Sequence, residues 1–150
     1  MCRILDTSPS SLVISHYLPP RSRGGHGSEK DRLSCEAKAV LEQAEIAGDR
    51  FTLPAAASSE CLVSRSRHGR AAIRAVDRYI EDLAASIEPV TREVANQAAV
   101  LRARHGRRLP LPDAPDALVV ATAVVLGADR ILTTDAGWPR LTIPVTIVRP

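Results

Sequence analysis

Aromatic side chains are scarce in this chain: its 150 residues include one Trp, one Phe and two Tyr. So few rings cannot build the stacking platform on which single-strand binders hold successive bases. Cysteine is scarce too, and Cys2, Cys35 and Cys61 make an odd count with no CxxC pair. Neither a disulfide framework nor a zinc ribbon is supported, and the expected state is reduced. The longest apolar stretch runs from Ala117 to Ala128 even when Thr122 and Gly127 are allowed. That is too short for a bilayer, and no basic segment followed by an apolar run opens the chain. The expectation is a soluble cytoplasmic protein with no membrane contact.

Lysine is nearly missing as well. Lys30 and Lys38 are the only lysines among 20 basic residues, so arginine carries the charge. Its planar fork matches phosphate, which points toward nucleic acid, although a codon bias toward Arg and Ala gives the same composition. Forty-five per cent hydrophobic and 25% charged residues describe a folded chain of one domain, expected to span 1–150. At this length roughly 70% of the unfolded surface can be buried, so folding needs no metal or disulfide.

Short strands and helices alternate along the sequence. Residues 3–8 read as the end of a buried strand, Arg-Ile-Leu-Asp-Thr-Ser. The segment 9–33 is atypical: Pro19-Pro20, Gly24-Gly25 and Gly27 make Pro9 to Asp31 a loop, with at most a short helix near Leu12 to Tyr17. Ser34 caps a helix that buries Ala37, Val40, Leu41 and Ala44 and stops at Gly48. A strand at Arg50 to Leu53 follows, then helices over Ala55 to Ser66 and Arg70 to Ala85. Ile87 to Val90 suggests another strand, and Thr91 caps a helix carrying Val94, Ala98 and Leu101 up to Gly106. After Asp116 comes a helix apolar on every face, then strands at Arg130 to Thr134 and Thr142 to Val148. The last is an edge strand because Pro144 interrupts it. Alternation without a hairpin signal predicts an α/β fold with a mainly parallel sheet of four to five short strands, covered on both sides.

Ligands of such sheets bind beyond the carboxyl ends of the strands. Asp6 follows the first predicted strand, Asp135 follows Ile131 to Thr133, Glu60 lies one to two helical turns past Leu53, and Asp116 begins the buried helix. If the first and fourth strands are neighbours, these carboxylates converge and repel. Hard cations relieve such repulsion, and an acid-only Mg²⁺ or Mn²⁺ site suits phosphate chemistry. Thr7, Ser8 and Thr133 are hydroxyls placed to orient a carboxylate or a water. Each acid also has a plainer role: Asp116 as a cap, Asp135 as an Asx-turn before Ala136-Gly137, Glu60 as a solvated helix position.

Other chemistries find no motif. Gly24-Gly25-His26-Gly27 neither follows a strand nor precedes GK[ST], and Asp6-Thr7-Ser8 lacks the second acid of a D-x-D phosphatase. The four histidines show no ligand spacing.

The blocks Ile4-Leu5-Asp6-Thr7-Ser8, Phe51-Thr52-Leu53-Pro54 leading to Glu60, Leu101 to Gly106, Pro115 to Ala123 and Gly127 to Asp135 resemble PIN-domain proteins, more narrowly VapC-type toxins of toxin–antitoxin pairs. The resemblance implies a three-layer α/β/α fold and an Mg²⁺- or Mn²⁺-dependent ribonuclease. It carries the metal-binding acids onto Asp6, Glu60, Asp116 and Asp135, with Thr133 as the accompanying hydroxyl. It further implies a homodimer and a cognate antitoxin whose tail occupies the groove. Pro-Asp-Ala occurs twice, at 112–114 and 115–117, so Asp113 stands beside Asp116 as a candidate ligand.

The main functional expectation is therefore a metal-dependent endoribonuclease. Arg65, Arg67, Arg70, Arg102, Arg104, Arg107 and Arg108 would track the RNA backbone. The second is a PIN fold that binds RNA or an antitoxin without cleavage, motivated by the unusual Pro9 to Asp31. A third is a metal-dependent nuclease or phosphatase acting on DNA or nucleotides. The formal net charge of +3 hides a division, since the chain without the four proposed acids carries +7.

Overall fold

Leu12, Val13 and Ile14 form the most deeply buried strand of the molecule, at 0%, 0% and 4% exposure. A strand apolar on successive residues must be covered on both faces, which a parallel sheet between helices provides. The computed structural model describes residues 10–15, 29–105, 114–138 and 140–149.

The elements run β1 (Ser11–Ile14), α1 (Glu29–Ile46), β2 (Arg50–Pro54), α2 (Ala55–Ser66), α3 (Arg70–Asp82), β3 (Ser86–Glu88), α4 (Arg92–His105), α5 (Ala114–Leu126), β4 (Arg130–Thr133) and β5 (Val145–Ile147). All pairings are parallel, in the order β3-β2-β1-β4-β5. Val13 sits opposite both Thr52 and Ile131, which fixes β1 as the central strand. Helices cover the sheet to give the expected three-layer α/β/α architecture. On the second half of the sheet, Ala37, Val40 and Leu41 of α1 meet Ile14, Leu132 and Val148 around one small apolar gap. Elsewhere α5 packs on α4, α2, β2 and β4.

The first strand departs from expectation. The segment read as a loop with a short helix near Leu12 to Tyr17 contributes β1, and α1 begins at Glu29, ahead of the Ser34 cap. The stub at residues 3–8 lies outside the described residues, apart from the fact that it precedes β1 in the chain. Smaller shifts follow elsewhere. Helix α3 ends at Asp82, β3 starts one residue early at Ser86, and β5 is shortened to Val145–Ile147 at the edge, just after Pro144. Thr91 caps α4 as expected, its Oγ1 accepting the Val94 amide at 3.2 Å.

Three helices return into the sheet through the same C-terminal cap. After α1, the Gly48 amide donates to the Glu45 carbonyl and the Asp49 amide to Ala44. After α5, Gly127 donates to Val124 and Ala128 to Ala123; after α3, Ala84 donates to Glu81 and Ala85 to Ile80. This is the Schellman pattern, which needs a left-handed residue at its centre. Gly48 and Gly127 supply it at φ 81° and 62°, whereas Ala84 is held at φ 51° despite its Cβ.

The amino ends of the strands are tied by two acids. Asp49 accepts the Ser10 amide at 3.0 Å and an Arg130 guanidinium N–H at 3.1 Å, and Asp129 accepts the Ser11 amide at 2.6 Å. These bonds place the entry to β1 against the entries to β2 and β4.

Candidate active site

The order of the strands determines where a ligand can sit. From β1 the chain moves outward through β2 to β3, then crosses back to β4 on the other side of β1 and out to β5. The connections leaving β1 and β4 therefore diverge in opposite directions. In open α/β sheets a crevice forms at such a reversal, beyond the carboxyl ends of the two strands.

Ser15, Thr133 and Asp135 occupy that point. Ser15 follows β1 directly, its amide donating to the Leu132 carbonyl at 2.9 Å so that it continues the ladder with β4. Its side chain is fully buried, and its hydroxyl donates to Thr133 Oγ1 at 3.0 Å. Thr133 Oγ1 also accepts the Asp135 amide at 3.1 Å. Asp135 in turn accepts the Gly137 amide on Oδ1 at 2.7 Å, closing an Asx-turn. The plainer role foreseen for Asp135 is thus realised, and it leaves the carboxylate held in a defined orientation. A side chain at Gly137 would approach that Oδ1 to 3.2 Å, so glycine suits the turn.

Asp116 reaches the same edge by helix polarity. Helix α5 ends where Asp129 bonds Ser11 at the amino edge, and β4 then runs parallel to β1. An α-helix of 13 residues is long enough to span the sheet at about 1.5 Å per residue. Its first turn, carrying Asp116, therefore lies toward the carboxyl edge. The helix begins at Ala114, so Asp116 is within the first turn instead of capping it, and only 5% of it is exposed. The positive end of the helix dipole favours a carboxylate there.

Glu60 comes from α2, which leaves the carboxyl end of β2 at Pro54. It sits partly buried in the middle of that helix, next to Cys61, a free and partly buried thiol. Both Glu60 and Asp116 take part in further polar interactions. Asp6, Thr7, Ser8 and Asp113 lie outside the described residues, as do Arg107 and Arg108. Arg67, Arg70, Arg102 and Arg104 are exposed, and Arg65 is half-buried.

Ser15 was missed in the sequence. Its signal was the compact Leu12-Val13-Ile14 run closed by a small hydroxyl, hidden in a segment dominated by Pro, Gly and Arg. Trp138 was also passed over. It is buried, and its indole N–H has no hydrogen-bond partner among the described residues.

Among the described residues, no group of three or more His, Cys, Asp or Glu side chains is placed to hold a metal ion. Among the described residues, the oxygen donors toward this edge include the carboxylates of Asp116 and Asp135 and the neutral hydroxyls of Ser15 and Thr133. That set suits Mg²⁺ in its commonest mode, one or two carboxylates with waters and substrate phosphate oxygens completing the octahedron.

No curated protein matches the chain in comparison. A family model described as the PIN domain matches residues 29–143, starting at α1 and leaving β1 outside the match. PIN domains are typically nucleases, act on nucleic acid and generally use divalent metal ions. With more than half its length matched, and with the parallel five-stranded sheet in place, the chain belongs to the PIN-domain family.

Proposed function

We propose that the protein is an Mg²⁺-dependent endoribonuclease, with Mn²⁺ able to substitute, acting as the toxin of a type II toxin–antitoxin pair. The observation that carries the reading is the meeting of Asp135 with the Ser15–Thr133 hydroxyls at the sheet's reversal point, on the edge toward which α5 directs Asp116. Asp116 and Asp135 would hold the cation, with Asp6 and Glu60 as the further acids of the sequence reading. The bound ion would supply an activated water and charge stabilisation at the scissile phosphate. Thr133 fixes the Asp135 turn, so that carboxylate is oriented before substrate arrives.

Arg65, Arg67, Arg70, Arg102 and Arg104, with Arg107 and Arg108, would contact phosphates. With few aromatics to stack bases, affinity would come mainly from charge and from RNA shape. The partners of this reading are RNA, a cognate antitoxin and a second copy of the chain, in the cytoplasm, with 1–150 folding as one domain. Cleavage of a structured RNA in Mg²⁺ tests it. Asp116→Asn is expected to lower the rate by about 10²- to 10⁴-fold, the usual range for losing one essential acid–base or ligand group. Full Mg²⁺-dependent activity in that variant would overturn the assignment.

A second reading, RNA or antitoxin binding without cleavage, is favoured by one observation: the residue at the end of the central strand is a serine. It predicts RNA binding with no Mg²⁺-dependent products at any enzyme concentration.

A further inference from the structure

We infer that α3 carries a row of arginines, Arg70, Arg74 and Arg78, that binds successive RNA phosphates and sets affinity for the substrate without entering the cleavage step. The inference rests on the ribonuclease reading and deepens it by assigning part of the RNA-binding surface.

The three residues stand four apart in a helix that runs from Arg70 to Asp82. Each step rises about 6 Å along the axis and turns only about 40° around it, so they form a row roughly 12 Å long. All three are exposed, while the other side of the helix turns inward through buried Val76 and partly buried Tyr79 and Ile80. Arg65 and Arg67 lead into the row, and no acid occurs between Cys61 and Val76.

Helix stability does not account for this placement. Like charges at i and i+4 repel, and the row sets up that repulsion twice. Arg70 sits in the first turn, where the macrodipole favours acids, and Glu81 and Asp82 sit in the last, where it favours bases; the first turn holds no acid and the last no base. Helix α4 has the opposite arrangement, with Glu93 in its first turn and Arg102, Arg104 and His105 in its last. The α4 arginines thus stabilise their own helix, whereas those of α3 work against theirs. None of the three forms an ion pair among the described residues, in contrast to Lys38, which meets Glu42 at 3.5 Å.

Unpaired positive charge that costs the helix stability is matched by a ligand of opposite charge. A guanidinium fork pairs with phosphate oxygens through two N–H donors, and one fork per helical turn suits a chain of regularly spaced phosphates. RNA is such a chain. Arg74 and Arg78 then join Arg70 as phosphate contacts, and their share of the salt dependence adds to that of the other arginines.

Anisotropy of a fluorescently labelled RNA hairpin, titrated in EDTA over about 50–200 mM salt, tests this. Replacing Arg70, Arg74 and Arg78 together by alanine is expected to weaken binding about tenfold or more at the lowest salt. The slope of log affinity against log salt should become shallower by roughly 2–3, at about 0.7–0.9 per contact. In Mg²⁺ the same variant should raise KM and leave kcat within about twofold. Its Tm should equal or exceed that of wild type, since alanine favours the helix and the repulsion is gone. A control with the same change of charge, Arg92→Ala with Arg140→Ala and Arg149→Ala, all exposed, should alter affinity by less than about threefold.

Equal losses in the two triple variants would overturn the inference in favour of net charge alone. An unchanged slope in the α3 variant would reduce the row to a solvated face and leave the ribonuclease reading intact. If polyglutamate binds wild type but not the α3 variant, while the hairpin binds both alike, the row serves an acidic protein and the inference fails. Loss of hairpin affinity in the α3 variant, with no Mg²⁺-dependent products from wild type, would keep the row and overturn cleavage.

Discussion

Thr133 is the residue on which the candidate site turns. One buried oxygen accepts the Ser15 hydroxyl and the Asp135 amide, so it joins the ends of β1 and β4 and sets the direction of a carboxylate. Thr133→Val keeps the shape and removes that acceptor, stranding two donors in a site with almost no water. The expected cost is about 1–3 kcal/mol, measured as a lower midpoint in urea unfolding. No change in midpoint would mean that the two donors find other partners. The residue was legible in the sequence as a hydroxyl two positions before an acid. In the structure its oxygen accepts a backbone amide and a second hydroxyl, contacts that spacing alone does not reveal. Asp116 was legible as a candidate because it borders a long apolar helix, and Asp135 because it comes just after a short buried strand.

At the scale of elements, the repeated helix cap gives a stability prediction. Ala84 fills the left-handed position that Gly48 and Gly127 fill after the other two helices, at φ 51°. Ala84→Gly should remove the Cβ strain and stabilise the fold by roughly 0.5–1 kcal/mol, net of the entropy glycine adds to the unfolded chain. Thermal unfolding would show it as a rise of a few degrees. A fall would mean that the Ala84 methyl contributes more by packing than it costs in strain.

The elements also show where sequence pattern stops being informative. From Ser34 onward, periodicity and caps located most helices and strands to within a few residues, because each long helix has a repeating buried face and each return strand a bounded apolar run. The N-terminal stretch has two short apolar stubs, Ile4-Leu5 and Leu12-Val13-Ile14, each followed by a polar residue. A central strand buried on both faces has no alternation to distinguish it. That Leu12 to Ile14 enter the sheet depends on pairing with β2 and β4, more than 30 and 100 residues away in sequence. Local pattern is blind to such pairing, which is why Leu12 to Ile14 read as part of a loop.

For the whole molecule, the arginine surface makes a quantitative demand. If Arg65, Arg67, Arg70, Arg102 and Arg104 each neutralise one phosphate, the logarithm of RNA affinity should fall against the logarithm of salt with a slope of about −4. Replacing Arg102 and Arg104 by alanine should reduce that slope by about 1.5 and weaken binding to unrelated RNAs alike. A slope near zero would remove the electrostatic part of the account. The fold itself was legible at this scale: alternating helices and strands without hairpins already implied a parallel α/β sheet.

The central claim is the proposal that acids at the sheet's reversal point, Asp116 and Asp135 among them, hold the divalent ion with which RNA is cleaved. The most direct measurement is a crystal structure with Mn²⁺ and a short RNA, with the ion located by its anomalous scattering. The account predicts a divalent ion bound by Asp116 and Asp135, with a phosphate oxygen of the RNA in its coordination shell. An ion held away from both carboxylates, or no ion bound in the presence of RNA, would contradict it.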